Sequence, residues 1–259
     1  GNVTYMTFPA LEETGMVSHA FSTRMGGVSR GKFSTMNFSF TRGDDPACVM
    51  ENYRRMGAVL DADVSRMVLS HQTHTTNVRV VTEEDAGKGV VRERDYTDVD
   101  GLITDVPGLV LATFYADCVP LYFVDPIRKA VGLSHSGWRG TVHKIGKITV
   151  QAMADQYGSR PEDIVAIIGP SICQDCYEVS EDVILEFQKY YREDCQSELY
   201  YQKENGKYQL NLWRANEIVM EEAGILPENI HTTQWCTCCN PELLYSHRAS
   251  KGKRGNLAA

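Results

Sequence analysis

Leu109-Val110-Leu111-Ala112-Thr113-Phe114-Tyr115-Ala116-Asp117-Cys118-Val119-Pro120-Leu121-Tyr122-Phe123-Val124 lies in the most apolar stretch of the chain, and its reading decides the fold. Asp117 and Pro120 interrupt it, and it is too short for a membrane span. Its β-branched and aromatic residues favour extended structure, so Leu109–Phe114 and Val119–Val124 read as two strands around a polar notch. Ala130–Ser134 continues the pattern downstream. Upstream, Val3–Phe8, Val17–Thr23, Met67–Ser70, Asn77–Val81 and Gly101–Thr104 read the same way. Helical periodicity marks four segments. Asp45-Pro46 opens one that runs to Leu60, with proline near the first helical position. Gly140–Tyr157 sets Val142, Ile145, Ile148 and Ala152 on one face and stops at Gly158. Ser180–Tyr191 buries Val183, Ile184 and Phe187 behind a Ser180 N-cap, and Asn211–Ala223 buries Leu212, Ala215, Ile218 and Val219 before Gly224. Strands in runs with helices concentrated later predict a mixed α/β sheet with helices packed outside. No second core is legible, so residues 1–259 are expected to form a single domain. The nearest thing to a tail is Ser250–Gly255, where Lys251, Lys253 and Arg254 sit among glycines.

The 259 residues are 42% hydrophobic and 23% charged, enough apolar material for a real core and too balanced for disorder. A net charge of −8 gives no generic attraction to nucleic acid or anionic lipid, so neither partner is expected. Any anionic substrate must be held by a few local cations. The eight cysteines are sparse for a disulfide-stapled secreted domain of this length. No signal-peptide pattern is read at Gly1-Asn2-Val3, and a cytoplasmic, mostly reduced protein is expected.

Three places combine reactive side chains with a break in the backbone pattern: Ser70-His71-Gln72-Thr73-His74-Thr75, the notch Tyr115-Ala116-Asp117-Cys118, and the strand-to-helix junction Ser134-His135-Ser136-Gly137-Trp138-Arg139-Gly140. Taken singly, Cys118 reads as a packed thiol and His135 as a hydrogen-bonding residue. Together they sit at successive element boundaries, where α/β folds place ligands. Two imidazoles and a thiolate supply three of zinc's four ligands, and the same trio reads equally as a cysteine nucleophile with a histidine base. Cys173-Gln174-Asp175-Cys176 is a C-x-x-C, and Cys236-Thr237-Cys238-Cys239 clusters three thiols. About 60 residues separate them, against ~15–20 in a zinc ribbon, so they are expected to be incidental or oxidisable loop thiols. No strand is read directly before Cys173, which argues against a thioredoxin-type pair. Gly26-Gly27, with Arg24 and Arg30 nearby, reads as a glycine turn or an anion cradle, and is neither a Walker loop nor G-x-G-x-x-G. Arg139 opens a helix whose amides favour an anion near His135. Asp98 and Asp100 are acids or bases, or simply an Asp-x-Asp-Gly turn.

His71-Gln72-Thr73-His74, Asp98-Val99-Asp100-Gly101, Ala116-Asp117-Cys118-Val119-Pro120, His135-Ser136-Gly137-Trp138-Arg139-Gly140, Gly169-Pro170-Ser171-Ile172 with Tyr177-Glu178-Val179, and Cys236-Thr237 with Ser246-His247-Arg248 occur in the order of a known family. From about Phe21 to the C-terminus the chain resembles the YfiH/DUF152 family. That family is also called multicopper polyphenol oxidase (laccase-domain), purine nucleoside phosphorylase and peptidoglycan editing factor. The resemblance implies a four-layer α/β/β/α sandwich with mixed sheets, and a zinc held by His74, Cys118 and His135, which selects His74 over His71. Thr75 stands where the family usually has glycine, which puts the local turn and the pocket width in question. Ser136 for alanine looks minor.

The resemblance further implies a zinc-dependent purine nucleoside phosphorylase acting on adenosine, inosine, guanosine and methylthioadenosine, with adenosine deaminase side activity. Phosphate would be stabilised by Arg139 and Arg24, and His71 or His247 would act on protons or ribose hydroxyls. Deamination needs an activated water at C6 of the purine, which an open His2Cys zinc supplies. Other members of the family are assigned copper-dependent phenol oxidation. Seven histidines, at most four of them in the motifs, do not supply a multi-copper cluster, although one His2Cys site can take copper as well as zinc. The alternatives are a cysteine–histidine amidase on muropeptides, with Cys118 as nucleophile and His135 as base, and a non-catalytic metal-binding module. A monomer or weak dimer is expected.

Overall fold

The computed structural model describes residues 2–259. Its strands are β1 (Tyr5–Met6), β2 (Phe21–Ser22), β3 (Met67–Leu69), β4 (Val78–Val80), β5 (Gly101–Thr104), β6 (Val110–Ala112), β7 (Phe114–Tyr115), β8 (Val119–Asp125), β9 (Ala130–Ser136), β10 (Val165–Ile168), β11 (Glu178–Val179), β12 (Tyr200–Gln202), β13 (Tyr208–Leu210), β14 (Ile230–Thr232) and β15 (Leu257–Ala258). The helices are α1 (Pro9–Glu12), α2 (Pro46–Val59), α3 (Trp138–Val142), α4 (Ile145–Tyr157), α5 (Glu181–Tyr190), α6 (Glu193–Leu199), α7 (Leu212–Glu222) and α8 (His247–Ser250).

A six-stranded mixed sheet, ordered β14-β10-β8-β9-β5-β4, carries the fold. Its two outer pairs are parallel and the inner ones antiparallel. Every residue of β8 is buried, because both faces of this sheet are covered. Strand alternation then divides the apolar run. Val119, Leu121 and Phe123 join the core shared with α3, α4, α5 and α7. Tyr122 and Val124 face a second layer, where they meet Phe21, Tyr115 and Leu257. That second layer consists of three two-stranded pieces, β1-β2, β3-β6 and β7-β15. Met67, Leu69, Ala112 and Ala258 back onto α2 through Val49, Tyr53 and Met56. The order is therefore helix, sheet, sheet, helix, which is the α/β/β/α arrangement with mixed sheets.

Local chemistry accounts for most boundaries. Asp45 caps α2 by accepting from the Ala47 amide at 2.8 Å, with Pro46 at the first helical position. Asn211 caps α7 through the Arg214 amide at 3.0 Å, and Leu212, Ala215, Ile218 and Val219 are buried as expected. Three expectations are corrected. Gly140–Tyr157 is not one helix: α3 begins earlier, at Trp138, and Lys144 in the left-handed region breaks it from α4. The break rotates the buried face, so Ile148 is exposed while Thr149, Val150 and Met153 are covered. Ser180 precedes α5, but its hydroxyl bonds the Asp182 carboxylate and caps no helix amide. The two N-terminal strands shrink to β1 and β2, because Pro9 starts α1 directly after the first.

The turn after β4 holds a buried ion cluster. Asp85 is 2% exposed and accepts from Arg79 and Lys88 at 2.8 Å and from the Thr82 amide at 3.0 Å. Burial opposes its charge, but those donors outweigh it and hold the carboxyl down at about 2. A depressed carboxyl stabilises the fold above the ordinary carboxylate range and loses that contribution as pH falls through its folded value. At pH 7, Asp85→Asn should therefore cost about 2 kcal/mol. The gap from wild type should close between pH 4 and pH 2, read as converging urea midpoints. A gap independent of pH would contradict this assignment.

Candidate metal centre

Cys118 immediately precedes β8, and His135 lies in β9, its antiparallel partner. The pairing Val119↔Ser136 and Pro120↔His135 sets the cysteine and the histidine side by side at the sheet's end. His74 arrives from the loop between β3 and β4. The metal-ligating atoms of His74, Cys118 and His135 all lie within 4.8 Å of one another. Cys118 Sγ is 3.9 Å from His74 Nε2, and the two imidazoles meet edge to face with centroids 4.9 Å apart.

Asp100 builds this arrangement. It is fully buried just before β5, and its Oδ1 accepts from the His74 amide at 3.0 Å and bonds His135 Nδ1 at 2.8 Å. Its Oδ2 accepts from the amides of Thr73 and Thr75 at 2.9 and 3.0 Å and from the Thr75 hydroxyl at 3.1 Å. One carboxylate thus fixes the loop carrying His74 and the ring of His135. Because a carboxylate only accepts, His135 Nδ1 carries the proton and Nε2 is left as a ligand atom. Burial disfavours charge on both Cys118 and Asp100, yet their charged neighbours prevail. The Cys118 thiol falls to about 6 beside His135 and His74, and the Asp100 carboxyl is held below its usual value. Against the same burial, Cys118 and Asp100 raise His135 to about 9. This donor set fits a tetrahedral metal ion with one position open, each ligand being soft or borderline and His135 braced from behind.

Gly137 explains the glycine of the junction. A Cβ there would stand 2.7 Å from His74 Cδ2 and 3.2 Å from Cys118 Sγ. Gly137→Ala should therefore weaken metal binding about tenfold to a hundredfold by overpacking the ligands. Competition with a chromogenic chelator measures this, and unchanged affinity would contradict the close packing. Thr75 does not force an unusual turn. The left-handed residue is His74, with φ +67°, and the Thr75 hydroxyl is engaged by Asp100. Ser136 is buried and bonds Thr141 and Asn216.

The centre opens into a cavity of about 910 Å³ lined by His71, Tyr115, Arg42, Arg94, Arg254 and Asn256 among others. His71 is thus brought to the site. Its Nδ1 accepts from the Asp98 amide at 3.2 Å, so its proton sits on Nε2. The expected phosphate arginines are not brought there. Arg24 donates to the carbonyls of Ser34 and Pro241 and lies over Tyr245. Gly26 and Gly27 are glycines because backbone crowds them, at 2.5 Å and 2.2 Å from where a Cβ would stand, so this stretch is a packing turn rather than an anion cradle. Arg139 is exposed on α3 and stacks on Trp138 at 4.3 Å, outside the cavity lining. His247 is exposed, also outside the lining, with Nδ1 3.4 Å from Arg254 Nη2.

The cations that do line the cavity are Arg42, Arg92, Arg94 and Arg254, and none of them forms an ion pair among the described residues. Arg42 spans the carbonyls of Arg254 and Gly252, while Arg254 Nε is buried without a partner. Burial and the neighbouring Arg42 depress Arg254 to about 10, so the pair is short of negative charge. Arg254 had read as part of a tail; in fact β15 beyond it pairs with β7. Asp117 was also unassigned. With φ +94° it turns the chain into Cys118, and its carboxylate accepts from Thr237 Oγ1 and the Arg248 amide, both at 2.7 Å.

A second cavity of about 600 Å³, lined largely by apolar residues including Phe38, Met56, Met67 and Tyr122, holds none of the candidate site residues. Among the described residues one other group gathers metal-ligating atoms: Cys173, Cys176, Cys236 and Cys239, a juxtaposition that their wide separation in sequence had counted against. No helix is long and apolar enough to cross a membrane.

A family described as multi-copper polyphenol oxidoreductase laccase matches residues 18–259. The purine nucleoside phosphorylase YlmD of Bacillus subtilis is 36% identical over 242 residues, 92% of this chain and 85% of its own. Adenosine deaminase RL5, from an unknown prokaryotic organism, is 35% identical over 231 residues, covering 88% of this chain and 87% of its own. The crystal structure of the Bacillus licheniformis hypothetical protein YfiH superposes with a TM-score of 0.91 at 35% identity, covering 95% of this chain and 92% of that one.

Proposed function

The chain belongs to the family described as multi-copper polyphenol oxidoreductase laccase, and on that premise we propose that it is a zinc-dependent purine nucleoside phosphorylase with adenosine deaminase side activity. One observation carries the proposal: a His2Cys donor set opens into the same cavity as two unpaired guanidiniums, Arg42 and Arg254. A volume of about 910 Å³ accommodates a nucleoside and a phosphate together. The relatives called purine nucleoside phosphorylase and adenosine deaminase support the substrate class.

His74, Cys118 and His135 would hold the ion, with Asp100 fixing the His135 imidazole and the backbone of the loop that carries His74. When bound, a divalent ion supplies Lewis-acid polarisation at its open side. Arg42 and Arg254 would replace Arg24 and Arg139 as the phosphate clamp, since both guanidiniums line the cavity and neither is paired with a carboxylate among the described residues. In phosphorolysis a phosphate oxygen bonds to C1′ of the ribose while the C1′–N9 bond breaks. Its electron pair leaves with the purine, which takes up a proton. His71, which lines the cavity and whose Nδ1 is taken up by the Asp98 amide, would donate from Nε2 to the leaving base. Arg254→Ala should raise the KM for phosphate about tenfold to a hundredfold, the worth of one charge-assisted bond, and change the nucleoside KM far less. Equal changes in both would remove Arg254 from the phosphate site.

A second reading has its own observation. Asp100, His135 and Cys118 stand in series, as in a cysteine nucleophile with an oriented base, which suits an amidase acting on muropeptides. The proposal is tested by incubating the zinc-loaded protein with inosine and orthophosphate. Hypoxanthine and ribose 1-phosphate are the expected products, and their absence, with thiol-dependent amide hydrolysis instead, would favour the second reading.

A further inference from the structure

Four thiols outside the proposed active site stand together where β10 and β14 end. Cys173 and Cys176 lie in the loop after β10, and Cys236 and Cys239 in the loop after β14. The two strands are parallel neighbours, paired Ile168↔Thr232, and a further parallel bridge joins Ser171 to Cys236. That pairing aligns two C-x-x-C segments far apart in the chain. All four sulfurs lie within 4.8 Å of one another. Cys176 Sγ is 3.4 Å and Cys173 Sγ 4.0 Å from Cys239 Sγ. Sulfurs bound tetrahedrally to zinc at about 2.3 Å stand about 3.8 Å apart, a spacing these two distances bracket.

We propose that Cys173, Cys176, Cys236 and Cys239 bind a second metal ion, a structural zinc in a closed all-thiolate site. Four protein ligands leave no open position, which is the signature of a structural rather than a catalytic zinc. The backbone is already arranged for a thiolate. The amides of Cys173 and Cys239 donate to Cys236 Sγ at 3.3 and 3.4 Å, and the second of these closes a tight turn within Cys236–Cys239. The sulfurs are too close together to enclose a cluster of several irons, so the occupant is a single ion. Binding displaces the thiol protons to solvent, and affinity therefore rises with pH.

The site has a structural consequence for the catalytic cysteine. The Ile172 amide donates to the Asp117 carbonyl at 3.0 Å, and Thr237 Oγ1 to the Asp117 carboxylate at 2.7 Å. Arg248 reaches from the Asp117 carboxylate to the carbonyls of Cys176 and Glu178. An ion clamping the two loops thus holds both sides of Asp117, the residue that turns the chain into Cys118. The inference rests on the four sulfurs alone and does not depend on the phosphorolysis reading.

The test is metal content and sulfur coordination of the full chain after loading with zinc alone and removal of excess. Wild type should hold two zinc ions per chain. Cys118→Ala should hold one, with X-ray absorption showing four sulfurs at about 2.3 Å and no imidazole. A Cys176→Ser/Cys239→Ser double variant should hold one with mixed nitrogen and sulfur ligands, and should melt at a lower temperature than wild type. If that variant does not fold, the Cys118→Ala spectrum decides alone. A metal-free Cys118→Ala chain, iron instead of zinc, or a Cys176–Cys239 disulfide in natively purified protein would overturn the proposal. Loss of purine release with both ions retained would count against the phosphorolysis reading only.

Discussion

Purine release from inosine should fall below detection when Cys118 is replaced by alanine, and should fall just as far when His74 is replaced. The pair is informative because the two chemical readings of the site part company at His74. A metal centre needs all three of His74, Cys118 and His135, whose ligand atoms lie within 4.8 Å of one another. A cysteine nucleophile needs only Cys118 and the His135 that Asp100 orients. In the second case His74→Ala would leave a thiolate–imidazolium pair in place and most of the activity with it. Under the metal reading it leaves two ligands, too few to retain the ion at working concentrations. Activity and metal content measured on the same preparations check this. Substantial turnover by a metal-poor His74→Ala chain would remove the metal from the mechanism.

Asp100→Asn should lower activity and zinc affinity about tenfold to a hundredfold while leaving the fold intact. The asparagine is close in size, but its NH2 cannot accept. If its carbonyl oxygen takes the Thr73 and Thr75 amides, its NH2 faces the His74 amide and His135 Nδ1, both donors when Asp100 is present. His135 can relieve that clash only by moving its proton to Nε2, which blocks the nitrogen needed for the ion. Asp100→Ala should go further and cost on the order of 3–5 kcal/mol of stability, because several buried donors then lose their acceptor together. Zinc affinity by chelator competition and a urea midpoint for each variant separate the two effects. An Asn variant with full affinity would mean that the carboxylate is structural only.

The central sheet and two of the three candidate metal ligands were legible in the sequence for a physical reason. β8 is buried on both faces, so it appears as a largely apolar run, and the polar notch Asp117-Cys118 sits directly before it. Cys118 and His135 stand at element boundaries that can be read locally, whereas the residues alone left His71 and His74 open and only the family resemblance selected His74. The arginines proposed to clamp phosphate were not legible. Arg24 and Arg254 are both arginines near glycines, and only three-dimensional packing gives the first to the Ser34 and Pro241 carbonyls and the second to the cavity. The four-thiol cluster escaped for a different reason. Its two halves meet through the pairing of β10 with β14, strands of four and three residues with too short a pattern to predict. Thr75 shows the reverse case, a departure from the family pattern that needs no left-handed conformation of its own, because His74 takes it.

The fate of the sugar separates phosphorolysis from hydrolysis most directly. Zinc-loaded protein is given inosine with and without orthophosphate, and hypoxanthine, ribose and ribose 1-phosphate are quantified together. The account predicts that purine release requires phosphate and that one ribose 1-phosphate appears for each hypoxanthine. Release at the same rate without phosphate, with free ribose as the sugar product, would contradict it.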